Sequence, residues 1–237
     1  MTPYEELLAR LLPARRFGVV LGLDRIRGLL DALGAPDRRL GTVVHVGGTN
    51  GKGSTVAMIA AVAAAGGLRV ATYTSPHLAS LRERIVLDGA MIEEAAIVAA
   101  AEQVRAAGGD ELTFFEQLTA IACVAIAEAR VDVTVLEVGL GGRLDATNAV
   151  AAAVAVVTGV ALDHEGILGD TLAAIAAEKA GIFKPGQRVV IGASGERAAV
   201  PLLLARAHAL GAVTRVIDEV ALADVPPVAL PGAHQRR

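Results

Sequence analysis

Apolar residues recur with two different periods along this chain, and the period changes near residue 40. In the segments 2–12 and 23–33 they lie three and four positions apart, which predicts two helices. Gly34 and Pro36 end the second of them. From Thr42 onward, short apolar runs with β-branched residues alternate with Ala-rich stretches. That alternation predicts strands and helices following one another.

The predicted strands are continuous apolar runs, which are typical of strands buried on both faces of a parallel sheet. We predict strands at 43–46, 69–73, 131–138, 153–157 and 189–191. We predict helices at about 54–65, 93–107, 114–129, 171–179 and 198–210. The sequence therefore predicts an α/β fold, with a mainly parallel sheet and helices on both faces.

Composition narrows the class of protein. Of 237 residues, 54% are hydrophobic and 20% charged, so the chain can bury a large core and is not intrinsically disordered. The net charge of −3 provides no electrostatic attraction to nucleic acid. The single cysteine, Cys123, cannot form an internal disulfide or a zinc cluster, which favours a reducing compartment. Its Ala neighbours in a predicted helix place it in the core.

The mean hydropathy of +0.53 makes a membrane protein worth considering. Two stretches lack charges, 53–68 and 146–162, but both are shorter than the roughly 18–20 apolar residues of a spanning helix. Both are rich in Ala, Val, Gly and Thr. The first 16 residues contain two Glu and no long apolar run, which excludes a signal peptide. We expect a cytoplasmic protein with neither a membrane nor a nucleic acid as partner.

A glycine-rich segment, VGGTNGKGST at 46–55, directly follows a predicted strand and precedes a predicted helix. Backbone N–H groups freed by glycine, the helix N-terminus and the Lys52 ammonium together favour phosphate binding. The strict P-loop pattern is not met, because position 46 is Val and Gly53 follows the lysine. The alternative is an ordinary glycine-rich turn with a surface lysine.

A second segment, LEVGLGGRLDATN at 136–148, ends the apolar strand 131–138. A carboxylate at the end of a buried parallel strand points into the crevice where α/β sheets bind ligands. Glu137 is therefore a candidate for binding Mg²⁺ or holding a water molecule. The alternative is a buried carboxylate satisfied by the N–H groups of its own turn. The dinucleotide-binding pattern fails because Leu144 stands at the third glycine position.

Two more segments carry candidate residues. In YTSPHL at 73–78, Ser75 and His77 lie near the same crevice, or are a turn residue and a solvated residue. In TFFE at 113–116, the two phenylalanines either fill the core or form an aromatic wall for a planar ligand.

Two single residues are ambiguous when taken alone. A neutral imidazole such as that of His164 suits a divalent cation, although a lone His is more often structural. Lys179 lies near the end of an apolar helix face, where a lysine usually extends its ammonium to the surface.

These motifs occur in one order between about residues 21 and 235: TNGKGS, TSPHL, RERI, TFFE, EVGLGGRLDATN, LDH, LGDTL, EKAGIFKPG and LPGAHQ. In that order they resemble the folylpolyglutamate synthase/dihydrofolate synthase family, ATP-dependent amide ligases related to the Mur ligases. The resemblance implies the fold of the Mur ligase central domain. It also implies a helical segment at 1–40 that contributes to the folate site, a P-loop ATP-binding domain at 41–237, and a C-terminal glutamate-ligase domain absent from this chain.

The resemblance also implies roles for individual residues. ATP would be bound by the loop residues Thr49, Asn50, Gly51, Lys52, Gly53, Ser54 and Thr55. Two Mg²⁺ sites would draw on Ser75, Glu137, His164 and Lys179, the last carried as a carbamate. The folate would contact Leu21, Gly22, Leu23, Asp24, Thr113, Phe114, Phe115, Arg143 and Asp145. The catalytic residues would be Lys52, Lys179 and His164.

The implied reaction joins L-glutamate to dihydropteroate or to a reduced folate. The carboxylate of that substrate attacks the γ-phosphoryl group of Mg-ATP, and the amine of glutamate then displaces phosphate from the acyl phosphate. No protein nucleophile is required, and we expect a monomer. Two alternatives stay open: a Mur-type ligase acting on a peptidoglycan precursor, and a nucleotide-binding fragment without catalytic activity.

Overall fold

A computed structural model describes residues 1–13, 22–163, 165–192 and 194–217, together with Leu230 and Gln235, with only the backbone of Glu165 and Ile167. The helices are α1 (Pro3–Leu11), α2 (Asp24–Ala32), α3 (Lys52–Ala65), α4 (Glu94–Ala106), α5 (Phe114–Ala129), α6 (Glu165–Leu168), α7 (Leu172–Ala180) and α8 (Ala199–Ala209). The strands are β1 (Thr42–Gly47), β2 (Val70–Tyr73), β3 (Ile85–Leu87), β4 (Ala90–Met91), β5 (Val133–Glu137), β6 (Val154–Val157), β7 (Arg188–Ile191) and β8 (Val213–Val216).

These strands form one sheet in the order β4-β3-β2-β5-β1-β6-β7-β8. Along that order the pairings from β2 to β8 are parallel, whereas β3 pairs antiparallel with both β2 and β4. The central strand β1 pairs Val46 with Glu137 of β5 and with Val156 of β6. The predicted mainly parallel sheet is confirmed.

The β3–β4 hairpin, whose strands have three and two residues, and the four-residue edge strand β8 were not predicted. The hairpin nevertheless carries a sequence signal, the dipeptide Asp88-Gly89, whose two residues have φ of 48° and 84°. The Asp88 carboxylate accepts hydrogen bonds from the Arg69 guanidinium and the Val70 N–H, and these tie the turn to β2.

Helices cover both faces of the sheet, as predicted. On one face, Val56 of α3 packs against Val46, Val135 and Val156 of the central strands. On the other face, α1, α2, α4 and α5 cover β1, β2 and β5, and α7 and α8 cover β6 and β7. The buried apolar side chains of α1 and α2 share a core with α4 and α5, so these two helices pack directly on the α/β unit.

The longest helix in the described part of the chain, α5, has 16 residues and is almost entirely buried. Cys123 lies in it with 2% exposure, and burial raises the pKa of its thiol to about 12, which confirms its predicted place in the core. Among the described helices none is long and apolar enough to cross a bilayer.

Candidate functional site

Three of the motifs meet at one edge of the sheet, where the parallel strands β1, β2 and β5 have their carboxyl ends. The segment after β1 enters α3, the segment after β2 contains Ser75, and β5 ends at Glu137. Adjacent parallel strands bring such ends together, and ligands of α/β sheets bind there. We call this edge the crevice.

The loop before α3 has the shape of an anion-binding turn. Gly48 has φ of +136°, and a Cβ there would lie 2.0 Å from the Thr158 hydroxyl oxygen, so only glycine fits. Gly51 caps α3 with φ of +80°. The first turn of the helix leaves N–H groups without intrahelical partners. Lys52 Nζ donates to the carbonyl oxygens of Gly48 and Thr49, both at 3.1 Å, so its ammonium lies over the loop.

The loops after β6 and β7 hold this segment, the candidate phosphate loop at 46–55, in place. Gly159 accepts a 2.9 Å hydrogen bond from the Thr49 N–H, and the Thr158 hydroxyl donates to the Asn50 carbonyl at 2.6 Å. Ser194 Oγ in turn donates to the Thr158 carbonyl at 2.9 Å. Sequence reasoning did not identify Ser194. The glycines that flank its loop, Gly192 and Gly195, were the available signal.

Glu137 is buried beside the phosphate loop with 5% exposure. Its Oε2 accepts a 2.9 Å hydrogen bond from the Ser75 N–H, and its Oε1 lies 3.8 Å from the position of a Cβ on Gly53. Burial raises the pKa of Glu137, against the lowering effects of the Ser75 N–H and the charge of Lys52. The alternative that its own turn satisfies this carboxylate is wrong, because the donor is on the neighbouring strand's loop.

The N–H groups of that turn bind Asp145 instead. Gly139 and Leu140 donate to Asp145 Oδ2 at 3.0 and 2.9 Å, and the Thr147 N–H donates to Oδ1 at 3.0 Å. Asp145 is 7% exposed, and burial raises its pKa despite these hydrogen bonds. Its carboxylate therefore closes the loop 139–147 on itself.

Lys179 lies in the last turn of α7 with only 4% exposure, so the interpretation as a lysine reaching the surface is wrong. Gly142 of the loop 139–147 packs against the backbone of this residue, since a Cβ there would lie 3.0 Å from the Lys179 carbonyl oxygen. Burial, and to a smaller extent the charge of Lys52, lower the pKa of Lys179 to about 8 against the opposing charge of Asp163. A substantial neutral fraction of this amine therefore exists near pH 8.

The loop 139–147 also contacts the end of α7 through a hydrogen bond and an ion pair. Arg143 donates from its backbone N–H to the Glu178 carbonyl at 2.9 Å and forms an ion pair with the Glu178 carboxylate at 2.7 Å. A Cβ on Gly142 would lie 2.7 Å from the Glu178 carbonyl oxygen, which explains the glycine there. Arg143, predicted to contact folate, thus has its guanidinium on α7.

The two predicted phenylalanines, Phe114 and Phe115, are half-buried in the first turn of α5, and we call them the aromatic wall. Thr113 caps α5 through its hydroxyl. The Phe115 ring lies 6.1 Å from that of Tyr73 and against Gly139, where a Cβ would be 2.5 Å from Phe115 Cζ. Phe114 lies under the Arg84 guanidinium at 5.7 Å.

Glu116 is a candidate that the sequence analysis missed. Its Oε2 accepts hydrogen bonds from the Thr113 N–H and hydroxyl at 2.8 and 2.7 Å, and Arg25 approaches it at 3.7 Å. Its Oε1 is buried and has no hydrogen-bond donor among the described residues. The spacing Thr113 to Glu116 was visible as a capping box, but a buried acceptor without a donor is visible only in the structure.

The other predicted residues have different placements. Leu23 is buried, Gly22 is half-buried, and the Asp24 side chain is exposed at the start of α2. His77 is not a solvated residue, because its Nδ1 accepts a 2.8 Å hydrogen bond from Arg84 Nε. Leu21 and His164 lie outside the described residues.

A cavity of about 240 Å³ between α1 and the loop 77–81 is lined by Tyr4, Leu8, Leu11, Leu12, His77, Ala79, Ser80, Leu81 and Phe114.

Known proteins share both the sequence and the fold of this chain. Residues 46–200 match the family model of the Mur ligase middle domain. A probable bifunctional folylpolyglutamate synthase/dihydropteroate synthase of Haloferax volcanii is 44% identical over 203 residues, which are 83% of this chain and 24% of that protein.

Two solved structures superpose on most of the chain. E. coli FolC in complex with DHPP and ADP has a TM-score of 0.84 at 38% identity and covers 91% of this chain and 51% of its own. A bifunctional folylpolyglutamate synthase/dihydrofolate synthase with Mn, AMPPNP and L-glutamate bound has a TM-score of 0.79 at 36% identity, with 91% and 52% covered. The chain thus spans about half the length of these solved relatives. It belongs to the Mur ligase family, in the group formed by the folylpolyglutamate synthases/dihydrofolate synthases.

Proposed function

We propose that this chain binds Mg-ATP and a pteroate-type carboxylic acid as part of an ATP-dependent ligase that adds L-glutamate to the acid. The observation that carries the proposal is the position of Glu137, a buried carboxylate held by the Ser75 N–H directly beside Gly53 of the phosphate loop. A phosphate loop joined to an acidic residue on the adjacent strand is the arrangement used for phosphoryl transfer. Solved relatives with ADP or AMPPNP bound support it.

The phosphates of ATP would be bound by the turn 49–55. Its helix N-terminus offers N–H groups and a partial positive charge to an anion. Lys52, which now donates to two loop carbonyls, would exchange them for phosphate oxygens. The hydroxyl of Thr55 donates to the Gly51 carbonyl, so it stabilises the turn, while Ser54 is half-buried at the helix start.

A divalent cation fits the donors beside this loop. Among the described residues, no three His, Cys, Asp or Glu side chains lie close enough together to hold a metal ion. Glu137 would therefore act with oxygen donors of other kinds. The Ser75 hydroxyl and phosphate oxygens are such donors, and hard oxygen ligands suit Mg²⁺. Once bound, the cation would neutralise the charge of the phosphates. His164, the remaining predicted ligand, lies outside the described residues.

Lys179 would serve as a carbamate. The amine nitrogen attacks CO₂, loses one proton to solvent and becomes a carboxylate-like oxygen donor for a second cation. A lysine with a pKa of about 8 has the neutral amine that this reaction needs. Its burial would also protect the product from water.

The carbamate gives a direct spectroscopic prediction. In ¹³C-bicarbonate, the chain should show one carbamate ¹³C signal that Lys179→Arg abolishes. The signal should strengthen from pH 6.5 to pH 8.5, since the amine loses its proton over that range. Lys184→Arg, which alters a half-buried lysine, is the control and should keep the signal. An unchanged spectrum in Lys179→Arg would remove this assignment.

The acid substrate would lie along the aromatic wall. Phe115 offers a half-buried ring face beside the loop 139–147, and the unpartnered Oε1 of Glu116 offers an acceptor for the N–H groups of a heteroaromatic ring. Arg25 Nη2 lies 3.7 Å from the other carboxylate oxygen of Glu116, Oε2. A relative with DHPP bound supports a dihydropteroate-type ligand.

In the proposed reaction the carboxylate of the pteroate or reduced folate attacks the γ-phosphoryl group, and ADP leaves. The Lys52 ammonium would stabilise the negative charge that spreads over the transferred phosphoryl group. The amine of L-glutamate then forms the amide and phosphate leaves. The chain's one cysteine is buried in α5, in agreement with a reaction that uses no protein nucleophile.

The test uses the 237-residue chain with Mg-ADP and dihydropteroate in calorimetry, followed by Mg-ATP, bicarbonate and L-glutamate with mass detection. We expect saturable binding of nucleotide and of dihydropteroate. A product heavier by one glutamate residue would establish the ligase in this chain alone. Nucleotide binding without dihydropteroate binding would favour the nucleotide-binding fragment. Binding of a UDP-linked peptidoglycan precursor instead would favour the Mur-type ligase.

A further inference from the structure

A buried polar chain runs from the central strand into the loop 139–147. His45 of β1, Thr147 and Asp145 are 1%, 0% and 7% exposed. His45 Nε2 lies 2.8 Å from Thr147 Oγ1, which in turn contacts Asp145 Oδ1 in a short hydrogen bond. Because these groups are buried, each hydrogen bond that is lost leaves a polar atom without a partner.

The direction of these hydrogen bonds follows from the chemistry of the groups. The Asp145 carboxylate accepts three backbone N–H groups, so it also accepts the single hydroxyl proton of Thr147. Thr147 Oγ1 must then accept from His45, whose Nε2 carries the proton. Burial lowers the pKa of His45 to about 3, in keeping with a neutral ring of one defined tautomer.

The other end of the chain reaches the aromatic wall. Asp145 Oδ2 binds the N–H groups of Gly139 and Leu140, and Gly139 packs on the Phe115 ring so closely that no side chain fits between them. The position of the carboxylate therefore sets the distance between the loop and the ring face.

We propose that His45 and Thr147 are positioning residues for the acid substrate: they orient the Asp145 carboxylate, which holds Gly139 and Leu140 against Phe115. The side-chain hydrogen bonds of the two residues join them to each other and to Asp145. They act through Asp145, so their loss weakens binding of the pteroate-type ligand while nucleotide binding persists. The part of this inference that concerns ligand affinity rests on the proposed function.

The first test needs no variant. In the ¹⁵N-labelled chain, long-range ¹H–¹⁵N spectra should show His45 neutral at pH 7 with its proton on Nε2. A proton on Nδ1, or a charged ring, would overturn the proposal. This measurement does not depend on any ligand.

The second test compares Thr147→Val, which removes the hydroxyl at nearly constant volume, with Thr147→Ser, which keeps it. We expect the dissociation constant for dihydropteroate, measured with Mg-ADP present, to rise about tenfold in Thr147→Val, since a buried donor and acceptor lose their partner. In Thr147→Ser it should stay within about threefold, and Mg-ADP affinity should stay within about twofold in both.

Thr134→Val is the matched control, because Thr134 is also fully buried and its hydroxyl donates to the Leu40 carbonyl at 2.6 Å, outside the loop. It should lower stability without changing ligand affinity. Equal weakening of ligand binding in Thr134→Val and Thr147→Val, or no rescue by Thr147→Ser, would overturn the proposal.

Hydrogen exchange at the Gly139 and Leu140 amides separates this inference from the proposed function. In Thr147→Val these amides should exchange at least about tenfold faster, while the control leaves them unchanged. If the wild-type chain bound no dihydropteroate, the proposed function would fail, and the exchange and tautomer results would still decide the role of His45 and Thr147. Unchanged exchange in Thr147→Val would overturn that role.

Discussion

Replacing Lys52 by Met should weaken binding of Mg-ATP by about 100-fold while the fold is retained. The ammonium is the only side-chain cation that the structure places directly over the described part of the phosphate loop, at 3.1 Å from two of its carbonyl oxygens. A hydrogen bond between charged groups contributes about 1.5–3 kcal/mol, and 2.8 kcal/mol corresponds to a factor of about 100 in affinity. Met keeps most of the aliphatic stem, so packing changes little.

Calorimetry with Mg-ATP and circular dichroism would check this result together. Lys184→Met is the matched control, since Lys184 is another half-buried lysine whose Nζ donates, at 2.6 Å, to Asn148 away from the phosphate loop. The control should lose stability rather than nucleotide affinity. Undiminished affinity in Lys52→Met would show that the loop 46–55 is an ordinary turn, the alternative considered from the sequence.

The second large effect is expected at Gly159, where Ala should destabilise the chain by about 3 kcal/mol, at the upper end of the usual cost of overpacking. A Cβ at this position would lie 1.3 Å from the Ser194 carbonyl oxygen, far inside any permitted contact. Since Gly159 also accepts the Thr49 N–H, the displaced loop would no longer support the phosphate loop. Nucleotide binding should therefore fall together with stability.

Thermal unfolding should show this as a drop in Tm of about 6–12 °C for a chain of this size. Gly28→Ala is the control, because Gly28 is an exposed residue inside α2 with no atom within 4 Å of its added Cβ. That substitution should raise stability by up to about 1 kcal/mol through helix propensity alone. A Gly159→Ala chain with unchanged Tm and nucleotide affinity would contradict the proposed support from the loops after β6 and β7.

Local pattern determined most of the fold. Continuous apolar runs predicted the parallel strands β1, β2, β5, β6 and β7. A strand covered on both faces has no solvent-exposed side, so its residues do not alternate between apolar and polar. Helix ends were predicted to within about two residues, as at Phe114–Ala129, where the Thr113 cap lies next to the first apolar residue. The β3–β4 hairpin escaped because strands of two or three residues contain too few positions for a period to be recognised.

The motifs likewise predicted where the glycine-rich loop, Glu137 and the aromatic pair lie in the fold, because each is within a few residues of a strand end or helix start. What they could not give is the environment of each side chain. The burial of Lys179, which is 4% exposed, depends on the packing of the loop 139–147 against α7. These two segments are about 35 residues apart in the sequence. Whether a donor reaches Glu116 Oε1 depends in the same way on the contact between α2, which carries Arg25, and α5.

Periodicity and short motifs of fixed spacing are local properties, and they were enough to predict the α/β class, the buried strands of the sheet and the family. The pairing of polar groups is visible only in the folded chain. Asp145 binds Gly139, Leu140 and Thr147, and Glu137 binds Ser75 across the sheet. The physical reason is that burial and hydrogen bonding, which set the charge state and orientation of a side chain, arise from neighbours that folding brings together from distant positions in the chain.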